Sequence, residues 1–156
     1  MQKINGNHDL PNQPNRNRTM IWTAGLTFGI TAFLVKLIFY PAPMHNPPAL
    51  YGLIAGFATG SAAWYLVMFR PGRQTLLRGG LTGILAGLFT PAIMWILFGL
   101  FASLTDPSTR DAFGWSLTYA LLTFTQLTAW LSALLGCALG VSLIRFQENL
   151  VRQFVG

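Results

Sequence analysis

Lys36 is the one charge in the run TAFLVKLIFYPAP, residues 31 to 43. A lysine in such surroundings has two uses. It can sit on the path of a substrate or ion, or it can carry its ammonium on a four-carbon stem to the nearest polar boundary. Lys36 lies about one turn before Pro41, which favours the boundary. Its expected partner is then Asp106 or Asp111, or the carbonyls of the outer loop. These two carboxylates could also be read as an acid–base pair, but TDPST and RDAF around them read as turn and helix-start signals. Helix capping is the simpler assignment.

The remaining reactive groups are sparse. His8 and His45 lie outside every apolar stretch, so no pair of histidines can ligate a haem within one. Met44 and His45 together make a poor soft-metal site. Cys137 is alone and can form neither an internal disulfide nor a thiolate cluster. No nucleotide, phosphate or zinc motif occurs, and no nucleophile has a base at a useful spacing. The chain is therefore expected to be neither an enzyme nor a cofactor protein. Gln126, among Thr123, Thr125 and Thr128, is expected to bridge helices.

The elements around these residues follow from composition. Of 156 residues, 53% are hydrophobic and 9% are charged, whereas soluble domains carry about 25% charged residues. The charges fall in clusters, and long apolar runs lie between them. This predicts an all-α integral membrane protein, a bundle of four transmembrane helices, spanning about 20–40, 49–69, 79–103 and 113–144. The fourth run is about 48 Å long as a helix, so it must tilt or leave its Thr-rich start outside the hydrocarbon. Residues 1–19 read as a polar, disordered leader before an uncleaved anchor. Residues 146–156 read as a short tail, a frayed end or a brief amphipathic turn. Thr90-Pro91 is expected to kink the third helix.

The net charge of +6 is that of arginines flanking spans, so no nucleic-acid partner is expected. With four spans, Lys3, Arg16, Arg18, Arg70, Arg73, Arg78, Arg145 and Arg152 share one side and only Arg110 lies opposite. Both termini are then cytoplasmic. Trp22, Trp64 and Tyr65 are expected near the inner face, and Tyr40, Tyr51, Trp115 and Tyr119 near the outer. Compactness and brief loops point to a bacterial inner membrane.

Small residues recur on one face of each span. Gly52, Gly56, Thr59, Gly60 and Ala63 have the same offsets as Gly79, Gly83, Ala86, Gly87 and Thr90. Gly25, Gly29 and Ala32 follow the pattern in part. Thr118, Thr125, Ala129, Ser132, Gly136 and Gly140 form a further line. Such faces let helix backbones approach closely in lipid. Their first expected use is packing within one chain.

The sequence thus leads to a small multi-pass protein that acts through helix–helix contacts as an accessory, assembly or immunity-type factor. Its partners would be the bilayer, another membrane protein or further copies of itself. The alternative is a small oligomeric transporter or channel using Lys36 and the Thr-rich fourth helix.

Overall fold

The computed structural model describes residues 13–39, 48–69, 75–105 and 111–155. The described residues contain helices and no strand. Helix α1 runs Gln13–Phe39, α2 Ala49–Trp64, α3 Leu76–Thr105, α4 Ala112–Thr123 and α5 Leu127–Val155. A π-helical turn, Tyr65–Phe69, prolongs α2. Four stretches are long and apolar enough to cross a membrane: Arg18–Ile38, Ala49–Met68, Leu76–Thr105 and Leu127–Asn149.

The first three agree with the runs read from the sequence. The fourth differs. The stretch 113–144 is two helices, interrupted at Phe124, Thr125 and Gln126. The interruption resolves the length problem. On α3, Gly99 meets Ser116 and Trp95 stacks on Tyr119. Beyond the break, Gly87 meets Ser132 and Gly83 meets Gly136. Eight residue steps along α3 (87 to 95) are thus matched by thirteen along its partner (119 to 132). The surplus is taken up by the break, and neither a simple tilt nor an excluded Thr-rich start is needed.

Local chemistry allows it. The Thr123 hydroxyl bonds back to the Tyr119 carbonyl and Thr125 to Leu122. Such back-bonding weakens and bends helices. Three-residue backbone bonds, from Phe124 to Leu121, Thr125 to Leu122 and Gln126 to Thr123, close the turn.

Two other boundaries extend beyond the sequence reading. Helix α1 begins at Gln13, inside the segment read as a leader, and α5 continues through Val155, across the segment read as a tail.

Two antiparallel pairings bring the glycines into use. In the first, α2 lies on α1. A Cβ on Gly56 would be 2.7 Å from the Phe28 carbonyl oxygen, and one on Gly29 2.8 Å from that of Leu53. Gly60 faces Phe28, and Gly52 faces Ala32. In the second, α3 lies on α5. A Cβ on Gly83 would overlap the Gly136 carbonyl, and one on Gly87 that of Ser132. Gly79 and Gly140 meet in the same way. Backbones this close exchange weak Cα–H···O contacts in place of side-chain packing. Helix α2 in turn packs on α3, and α1 touches α5 only lightly.

The line of small residues read along 118–140 is divided by the break. Ala129, Gly136 and Gly140 are buried, whereas Thr118 and Thr125 are exposed. Trp64 is also displaced from its expected role. It is 3% exposed and packs with Ala24, Met68 and Ile144, so it belongs to the core and is no interfacial anchor.

Gly83→Ala tests the second pairing sharply. A single methyl must push α3 from α5, so the variant should lose about 1–3 kcal/mol, the usual range for overpacking. Gly114→Ala should leave stability unchanged, because nothing lies within 4 Å of a Cβ there. Unfolding of both variants in detergent measures this, and equal stability would show that α3 and α5 are not in backbone contact.

Candidate functional site: a polar layer at the mid-height of the helices

Several polar features coincide at one level. Thr59 lies at the middle of the stretch Ala49–Met68, and its hydroxyl is 2.7 Å from that of Thr90. Both are buried. Each hydroxyl also approaches a carbonyl of its own helix, Ala55 at 2.8 Å and Ala86 at 2.6 Å. One hydroxyl must donate to the other, so only one keeps its bond to its own helix. This is a polar link between α2 and α3 in otherwise apolar packing. Comparable interhelical bonds are worth about 0.6 kcal/mol.

Pro91 follows Thr90 and lies inside α3 without ending it. It has no N–H, so the Gly87 carbonyl, four residues earlier, loses its helical donor. Gly87 lines a cavity of about 50 Å³ between α1, α3 and α5. Thr31, Val35, Thr90, Ser132 and Gly136 also line it. Most Thr and Ser side chains here bond back to their own helix, as Thr27, Thr82 and Ser142 do. Thr31 and Ser132 make no such bond among the described residues. The cavity therefore has room for water and polar groups to hold it.

The break in the fourth stretch stands at the same level. Phe124 packs edge-on against Phe89, with ring centroids 5.7 Å apart. Gln126 does not bridge helices as the sequence reading expects. It is exposed on the outer surface of the break, and its Oε1 accepts a bond from the Thr128 hydroxyl at 3.4 Å. Its amide nitrogen donates to no acceptor among the described residues.

Lys36 lies elsewhere, in the last turn of α1. It is 8% exposed, so it faces the protein, as its spacing from Gly25 and Ala32 implies. The α1–α2 register, with Ala32 on Gly52, places Lys36 beside the start of α2 near Pro48. The ammonium is also close to the negative end of the α1 dipole. Of the two expected carboxylate partners, Asp106 is outside the described residues. Asp111 is exposed immediately before α4, which packs on α3. It forms no ion pair among the described residues, so it is not the partner of Lys36. It occupies the N-cap position of α4 without a side-chain capping bond. His45 and Met44 also lie outside the described residues, within which no cluster of three metal-ligating side chains occurs.

Gln147 is a buried polar residue that the sequence does not single out. It is 5% exposed, and neither its nitrogen nor its oxygen has a partner among the described residues. Its spacing from Gly140 and Ile144 on α5 signals burial, since all three share one helical face.

The comparisons add no relative: no known family, curated protein or solved structure matches the chain.

Two substitutions test these assignments. Gln147→Leu removes two unpaired buried polar atoms, each of which costs about 1–3 kcal/mol, and should leave the protein as stable or more stable. A clear loss of melting temperature would show that the amide has a partner in the membrane. Lys36→Met keeps an unbranched side chain one atom shorter, and folded yield and melting in detergent should match the parent. A collapse in yield would make the ammonium part of the fold.

Proposed function

We propose that this chain is an integral membrane protein, with both termini cytoplasmic, that works through helix–helix contacts without catalysis, as an accessory, assembly or immunity-type factor. The observation that carries this reading is the outer surface of α4, the break and α5. The glycine faces of α2 and α3 are already occupied within the chain. What is left outward around the break is an uncharged surface in which Gln126 and Thr128 stand among Leu121, Leu122, Leu127 and Leu131, all exposed. A carboxamide facing hydrocarbon is costly until it meets another polar group. A helix from another protein chain supplies one; an acyl chain does not. The asymmetry of Lys and Arg supports the orientation, and the short connections support a bacterial inner membrane.

One observation favours a second reading, a small oligomeric transporter or channel. The cavity beside Gly87 is lined at mid-height by Thr31 and Ser132, next to the point where Pro91 removes a helical donor, and polar groups at such a depth are a feature of substrate and ion paths. Lys36 lies on the same face of α1, one turn beyond Ala32.

Mild solubilisation of native membranes tests the first reading. A protein partner should co-purify with the parent chain and be lost with Gln126→Leu, while reporters fused at Arg73 and Gly156 should both read as cytoplasmic. Purification of a chain that binds no protein, itself included, would overturn the helix-contact reading. An external report at Gly156 would overturn the topology.

A further inference from the structure

We infer that the surface around Gln126 is a homotypic contact, occupied by the same surface of a second copy of this chain. The inference rests on the helix-contact reading above and names its partner.

Depth comes first. Phe124 packs on Phe89, eleven residues along α3 from Arg78. That is about 16 Å by helical rise, close to the middle of a hydrocarbon core about 30 Å thick. The break therefore brings Gln126 to the surface where water is scarcest. Thr125 and Thr128 are exposed beside it but have their hydroxyls satisfied, by the Leu122 carbonyl and by Gln126 itself. Among the described residues, the Gln126 amide N–H groups donate to no acceptor.

Chemistry then narrows the occupant. No charged side chain occurs between Asp111 and Arg145, so a charged partner would find no counterion here. A carboxamide offers both donors and an acceptor and is complementary to itself. Copies inserted in the same direction hold their Gln126 residues at the same depth. A two-fold axis along the membrane normal then brings like against like, the isologous arrangement of most homodimers. Leu122, Leu127 and Leu131, exposed around the break, surround the amide pair with apolar contact. A foreign helix would have to present a polar group at that depth independently.

Leu127→Cys in a Cys137→Ala background tests this with Gln126 intact. The purified protein is reconstituted in phosphatidylcholine vesicles at high dilution and oxidised. The expected product is a disulfide dimer of twice 17.2 kDa, with none from Trp22→Cys on the exposed side of α1. Adding Gln126→Leu should weaken dimerisation about ten-fold, without changing the melting temperature, and Gln126→Asn should restore most of it. A chain that gives no self-linked product in vesicles, or links equally well with Gln126→Leu, overturns the homotypic contact. The same cysteine in native membranes separates the two levels of the argument. A link to a chain of different mass overturns the second copy and retains the helix-contact reading. No link in either setting removes both.

Discussion

The approach of two backbones without intervening side chains is the constraint on which this structure depends. Where α3 meets α5, carbonyl oxygens of one helix occupy the space that a Cβ on the other would need, at Gly83 against Gly136 and at Gly79 against Gly140. Lipid supplies no hydrophobic force to bring helices together, so dispersion, weak Cα–H···O contacts and a few polar links must do so. All of these act at short range. The position of the break follows from keeping those glycines in register.

The break illustrates how register and length are reconciled. Helix α3 is continuous past Pro91, and its partner must match it both at Gly99 and at Gly83. The partner has too many residues for one straight helix. Three residues leave the α-helical hydrogen-bond pattern at the level of Pro91, where α3 has itself lost a hydrogen bond. The Thr59–Thr90 link falls at the same height. Polar backbone and side-chain groups are thus collected into one layer, and the segments above and below it are regular.

Much of this was legible in the amino-acid sequence, and the limits have physical causes. Apolar run length located three stretches closely, because crossing hydrocarbon imposes a length that composition records. The offsets shared by Gly52, Gly56 and Gly60 and by Gly79, Gly83 and Gly87 identified packing faces, because only small residues permit such contact. They could not say which helix each face would meet. The division of 113–144 was hidden because Thr and Phe are common in unbroken transmembrane helices. The excess length was visible, but its remedy depends on pairing with α3. Gln126 was singled out by residue type and given the wrong surroundings for the same reason. Gln147 drew no notice because a glutamine among Arg145, Glu148 and Arg152 reads as surface until the face it shares with Gly140 is considered.

The pairing order also has a temporal side. Helices α1 and α2 are neighbours in the chain, so their glycine faces can close as soon as the second has left the ribosome. Helix α3 can meet α2 through Thr90 at that stage, but its glycines must wait. The partner of Gly83 is Gly136, and translation at about 5–20 residues per second leaves that face uncovered for some seconds. During this interval, α3 stands in the bilayer with its adhesive side open, available to insertion factors, to proteases that survey orphan helices and to any other newly made span. The glycines that hold the finished protein together therefore also set the moment at which it is most vulnerable in the cell.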